Sequence, residues 1–479
     1  MQPSYVENRT LSFEVLSKHQ REEIHFTALA VLEEVGTIIK SPRVIEMLKK
    51  AGAFTEGERV KYPRALVEKA LRSVPSGFAL YDRNGQNKLL FEGRHCYFGP
   101  GPTTTYTIDP YSGERRLPHK KDTENAVRVM DALENIDFIM DFGTIQDVPN
   151  RYADLHLLQA ILENTTKPIV HWGFDAANCR TILEMCLAIS GSLEKFQKKP
   201  FVSLFSCSSS PLLHTVDALE KLIFSAENKI PFVYVSAPAA GATSPVSLAG
   251  TLVVTLAECL AGLVVHQLVN EGAPLALGCV TGATDMQTMA MSYGCPEFNL
   301  MHAAFTELVH DYNIPLWGTA GCTDSKAVDQ QAALESTASI MMSALSGANM
   351  VHDVGYLEGG NCSSLALLVV CDEIIGYVRR MIRGIRVDEQ TLALDAIRRV
   401  GPMGEYVTET HTYEHFKEEL WFPRLSDRLS YAKWASGDAL TLGEKAAAQA
   451  RSLIENHTPE PLEKTIKEKI DQIVKKACS

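Results

Sequence analysis

The segment ANMVHDVGYLEGGN, Ala348 to Asn361, opens as an apolar run and then crowds His352, Asp353, Tyr356 and Glu358 ahead of Gly359, Gly360 and Asn361. Three chemistries fit those residue types. A histidine beside carboxylates can move protons. His352 together with Cys207, Cys279 and Cys322 would offer three thiolates and an imidazole, a plausible zinc set, although no two of them share a local ligand spacing. The Gly359-Gly360 pair could cradle a phosphate, but Asp353 and Glu358 would repel one. No nucleophile and base pair is marked: SCSSSP, Ser206 to Pro211, lacks the GxSxG elbow.

These side chains need elements to position them. Short β-rich runs, HCYFG, IDFIMDFG, PIVHWGF, PFVSLFS, PFVYVSA, PLALGC, PLWGTA and ANMVHDVG, alternate with helical stretches such as AVRVMDALENI and AALESTASIMMSALSG. Eight β-then-α units predict an α/β protein built on a (β/α)8 TIM barrel. An open doubly wound sheet shows the same alternation, but the glycine fingerprint it would favour at its first turn is missing. Proline before five of the runs (Pro168, Pro200, Pro231, Pro274, Pro315) suits short turns into strands. Residues 1–92 read as a helical extension ending in a hairpin around Asn84-Gly85, 93–380 as the barrel, and 381–479 as C-terminal helices.

In such barrels chemistry gathers where strands end. The side chains there include Phe142, His171, Trp172, Phe205, Trp317, His352 and Tyr356. Aromatic faces converging on one mouth form a box for a cation that has no hydrogen to donate, each face worth roughly 0.5–2 kcal/mol.

Composition narrows the partners. The chain has 479 residues, a formal net charge of -12 and no basic stripe, which argues against nucleic acid and for a small molecule or a protein. Eleven cysteines are scattered singly, without a disulfide framework. The opening MQPSYVENRT has no apolar core and no cleavage site, so a cytoplasmic protein is expected. The longest apolar run, SPVSLAGTLVVTLAECLAGLVVHQLV, carries Glu258 and His266 and reads as a buried helix, not a membrane span.

Several longer segments resemble one known family. YFGPG at Tyr97–Gly101, followed by TIDPYSGERR and DTENAVRVMDALENIDF, is similar to the barrel opening of the trimethylamine methyltransferases. GPMGEYVTETHTYEHFKEELWFPRLSDR, Gly401 to Arg428, resembles that family's C-terminal signature, and PLWGTAGCTDSKAVDQQAALES and VLEEVGTIIKSPRVIEMLKKAGAF also fit. The resemblance covers nearly the whole chain. It implies methyl transfer from an amine nitrogen to the cobalt of a corrinoid (cobalamin) held on a separate protein, with no cofactor tightly bound here. Archaeal trimethylamine enzymes carry pyrrolysine in the barrel; this chain does not, and so resembles the branch that demethylates quaternary amines such as glycine betaine, proline betaine and carnitine.

On that resemblance the nucleophile is external Co(I), so neither a catalytic residue nor a metal ligand is expected in this chain. Strand-end position assigns Phe142, Trp172, Phe205 and Tyr356 to a box around the trimethylammonium group, with His171 beside them. His352 and Asn361 would meet the substrate's carboxylate, and Asp353 or Glu358 would attract the cation or orient His352. Glycine betaine, the smallest such zwitterion, is the first expectation; γ-butyrobetaine and the larger betaines stay open. A zinc-dependent corrinoid methyltransferase for a thiol or alcohol, and a barrel that binds betaine without transferring methyl, are the alternatives. The corrinoid protein should dock on the barrel mouth, and the apolar helix near Leu252–Val269 makes a homo-oligomer reasonable.

Overall fold

Proline has no N–H to give a ladder, but its carbonyl can begin one. In the computed structural model, which describes residues 11–479, the carbonyls of Pro168, Pro231, Pro274 and Pro315 each accept the N–H of a neighbouring strand at 2.8–3.2 Å. The segment MQPSYVENRT, in which no export signal was expected, lies outside the described residues. Seven strands form one parallel sheet: Tyr97–Phe98, Ile169–His171, Val202–Cys207, Phe232–Ser236, Leu275–Cys279, Leu316–Thr319 and Met350–His352. The last pairs with the first through Val351 and Phe98.

The expected strand IDFIMDFG shrinks to one bridged residue, Ile139, paired with Ile169. The reason lies in Asp137. Its carboxylate, not a backbone carbonyl, takes the Phe98 N–H at 2.7 Å, which interrupts a regular ladder. The place is still filled, because Asp137 N–H donates to the Phe98 carbonyl and Ile139 N–H to that of Pro168. Eight positions therefore close the barrel, and a helix follows each, from Lys120–Ala132 to Leu365–Ile382. Asp175, Thr215, Asp329 and Ser364 cap four of these helices with side-chain oxygens on the third N–H.

Alternation along the strands decides what faces inward. Val233, Val235, Ala276, Trp317 and Met350 share an interior cluster with Phe78, Leu80 and Phe91 of the hairpin Phe78–Tyr81 and Lys88–Phe91. Tyr81 N–H donates to the Pro200 carbonyl and Arg83 N–H to that of Thr166, both just ahead of barrel strands. The hairpin thus plugs the N-terminal end of the barrel, and chemistry is left to the other end.

The helix Leu248–Val269 is long and apolar enough to cross a membrane, yet 72% of its apolar window is buried within the protein. Helices Lys18–Ala30 and Arg64–Ser73 pack on it from outside and the strand Phe232–Ser236 from inside, so most of its apolar surface is covered. Short strands Thr37–Ile39, Phe54–Glu56 and Arg59–Lys61, unforeseen in a region read as helical, join Leu213–His214 in a small sheet. Three residues are too few to show a period of two. At the other end of the chain, Leu442–Asn456 packs on Leu365–Ile382, and Lys464–Cys478 on Ala176–Ser190.

Candidate functional site

Inward-facing aromatic rings link the ends of four strands. Trp172 lies 4.9 Å from Phe205, Phe205 5.5 Å from Trp317, and Trp317 4.5 Å from the His352 ring, all between centroids. Phe142 and Tyr356 form a second pair at 5.4 Å. Phe142 holds φ +63° and Asp353 φ +72°, a region costly for residues with a Cβ and often found where a site dictates the backbone. Gly101 is needed for close approach: a Cβ there would stand 1.8 Å from Asp353 Oδ1 and 2.7 Å from the Tyr356 ring.

At the end of the last strand, His352 Nδ1 donates to the Gly318 carbonyl at 2.7 Å, which fixes the ring and turns Nε2 toward Asp353 Oδ1, 3.4 Å away. The Asp353 carboxylate is 5% exposed and, among the described residues, accepts no hydrogen bond. Burial raises its pKa, and His352 partly offsets that. Tyr356 donates its hydroxyl to the Pro102 carbonyl at 3.2 Å.

Three sequence expectations land elsewhere, and the phosphate alternative finds no support. His171 points away from the interior, since Val170 and Trp172 take the inward positions. Its Nδ1 meets Asp141 at 2.8 Å and its Nε2 the Asp154 carbonyl at 3.1 Å. Burial opposes charge on this ring, but the Asp141 carboxylate and then Asp154 outweigh it and hold the pKa above the ordinary value. Glu358 is claimed by Arg115 in a two-pronged pair at 2.7 and 2.9 Å, with the guanidinium stacked 3.4 Å over Tyr106. Asn361 is exposed, and its carbonyl pairs with Tyr106 N–H. Gly359 and Gly360 leave room for the Tyr293 ring and the Asp324 carboxylate, not for a phosphate.

The zinc set also comes apart. Cys279 faces outward, its Sγ 3.7 Å from His302 Nδ1, while Cys207 sits on the inner rim. Among the described residues no three His, Cys, Asp or Glu side chains are grouped to hold a metal ion. Burial raises the thiols of Cys207, Cys279 and Cys322, so none is set up as a thiolate.

Trp317, named among the strand-end aromatics but given no role, is fully buried with its indole N–H unpartnered. One residue was passed over. Lys221, on the helix Val216–Glu227, is 3% exposed; its ammonium donates to the Gly173 carbonyl at 3.0 Å and stands 4.4 Å over Trp172. Trp172, expected to face a substrate cation, thus already carries a protein cation on one face. A signal existed: Lys221 follows Ala218 by three and precedes Ser225 by four, on the buried side of its helix. The aromatic cluster therefore has an ionisable group at each side, Asp353 beside His352 and Lys221 beside Trp172.

The sequence profile described as trimethylamine methyltransferase (MTTB) matches residues 1–478. A trimethylamine methyltransferase MttB of Desulfitobacterium hafniense (strain DSM 10664 / DCB-2) is 34% identical over 453 residues, covering 94% of this chain and 91% of the relative. A glycine betaine methyltransferase of Desulfitobacterium hafniense (strain Y51) is 31% identical over 466 residues, 96% of each chain. Among solved structures, the hydroxylamine complex of MtmB superposes with a TM-score of 0.50 at 13% identity, over 91% of this chain and 92% of that one, a likeness of fold.

Proposed function

Because the chain belongs to the trimethylamine methyltransferase family, we propose that it moves a methyl group from a quaternary amine, glycine betaine first, to Co(I) of a corrinoid carried on a partner protein. The observation that carries this reading is the cluster of aromatic rings around the Asp353 carboxylate, which accepts no hydrogen bond among the described residues. Phe142 and Tyr356 pair their rings there, and among the described residues the Asp353 carboxylate has no Lys or Arg partner, only the His352 ring at 3.4 Å.

A quaternary ammonium carries its own activation. When the methyl carbon is attacked, the C–N bonding pair stays on nitrogen and dimethylglycine leaves as a neutral amine, so no general acid is required. Co(I) supplies the attacking electron pair. The protein's share is to fix the N-methyl group at the mouth, in line with the incoming metal, and to keep water out. Protonated thiols and a His352 locked on a backbone carbonyl suit a wall better than a nucleophile. The partner is expected at the C-terminal end of the strands, since the hairpin closes the other. Eleven free cysteines suit a reducing cytoplasm.

The test is methylcobalamin formation from free Co(I) cobalamin with a panel of quaternary amines, trimethylamine and the apo reaction as comparisons. Transfer from glycine betaine supports the proposal. Binding of betaine without transfer from any amine would leave a binding barrel, and transfer from trimethylamine alone would move the substrate class.

A further inference from the structure

A buried ammonium normally has a carboxylate beside it, because an unpaired charge in a dry site is costly. Lys221 has none. Its one hydrogen bond goes to a neutral carbonyl, that of Gly173, and its other neighbour is the Trp172 face. Asp217 and Asp154 act on it only from a distance, and Cys179 and Cys207 nearby are protonated thiols. We propose that Lys221 is a specificity-determining residue that receives the carboxylate of a zwitterionic amine, a role resting on the quaternary-amine reading above.

The proposal reverses the orientation expected from sequence. There, His352 was to meet the carboxylate and Trp172 the cation. Asp353 lies 3.4 Å from His352 Nε2 and would repel a carboxylate placed there, while Lys221 over Trp172 would repel a cation. In their charged forms, which burial opposes at both positions, Asp353 and Lys221 agree on one arrangement. The substrate's anionic end lies toward the ends of the third and fourth strands, and its methylated nitrogen toward Asp353, Phe142 and Tyr356. Trp172, 4.9 Å from Phe205, is then the platform under the Lys221 ammonium rather than a wall for the substrate cation.

A purely structural Lys221, tying down the Gly173 carbonyl, would affect all substrates alike, so the readout is a ratio. Wild type and Lys221→Met are compared with glycine betaine and with betaine amide, in which a neutral carboxamide replaces the carboxylate. Wild type should favour betaine in kcat/KM by about 10- to 100-fold, the worth of a charge-assisted hydrogen bond. In Lys221→Met the ratio should fall toward one, carried by KM, and Lys221→Arg should restore part of it. An unchanged ratio overturns the proposal. Calorimetric titration of both compounds into both proteins keeps this separate from the catalytic reading. Loss of the carboxylate preference in binding supports Lys221 even if no methyl is transferred, and equal wild-type affinity for the two compounds rejects it.

Discussion

Asp353 and Glu358 lie in one segment after the last barrel strand, and their partners tell them apart. Arg115, 243 residues away in sequence, neutralises Glu358, whereas among the described residues Asp353 has only the His352 ring within ion-pair distance. Burial raises the Asp353 pKa, so its ionised form, the one that attracts a cation, is gained as pH rises through that raised value. The linkage has a matching sign. A folded-state pKa above the unfolded one gives stability below the unfolded value and loses it as pH climbs through the folded one, and a bound cation should recover that loss. Affinity for a quaternary amine, which does not itself titrate, should therefore strengthen with rising pH. Asp353→Asn, a residue that tolerates φ +72°, should weaken binding about 10-fold or more and flatten the pH profile. A variant whose pH profile matches wild type would remove Asp353 from the site. Strand-end position was enough to nominate Phe142, Phe205, His352 and Tyr356. It could not separate Asp353 from Glu358, nor expose Lys221, because those distinctions rest on partners distant in sequence.

Elements were more legible than residues because their signals are local. Proline before strands and apolar periodicity exposed the eight-unit repeat, and Asn84-Gly85 marked the hairpin. Hidden from that reading was the hairpin's place: Leu80 and Phe91 are fully buried inside the barrel's N-terminal end. Leu80→Ala should therefore cost about 2–5 kcal/mol, as for a core leucine, and lower the denaturant midpoint. An effect below about 0.5 kcal/mol, the scale of a surface change, would mean the hairpin is not part of the core. The serine-rich loop after the fourth strand has a similar explanation. Glu258, buried in the long apolar helix, accepts hydrogen bonds from Ser208, Ser210 and Ser236 and from Leu212 N–H at 2.5–2.9 Å. SCSSSP thus serves to shape a loop, and Glu258 is the reason an apolar helix tolerates a carboxylate.

At the scale of the molecule, the apolar helix Leu248–Val269 is buried by this chain's own N-terminal helices and supplies no surface for a second copy. The exposed apolar surface lies elsewhere. Of the 26 large apolar side chains exposed among the described residues, thirteen fall between 385 and 431, including Met403, Val407 and Tyr413. That segment is anchored to the barrel's N-terminal end, where Arg380 holds the Glu419 carbonyl and Arg424 pairs with Glu134. On the proposed function the corrinoid's cobalt would approach the opposite mouth, and we propose a second copy of the chain as the occupant of this surface. Sedimentation at micromolar concentration should give an assembly heavier than the 52.8 kDa chain. Val407→Asp combined with Tyr413→Ser, at positions 83% and 80% exposed, should return it to that mass with the fold intact, since neither side chain supports the core. Methyl transfer to free cobalamin should survive, because the mouth is at the other end. A wild-type monomer at that concentration, or a double variant that still assembles, would show that these residues serve something other than self-association.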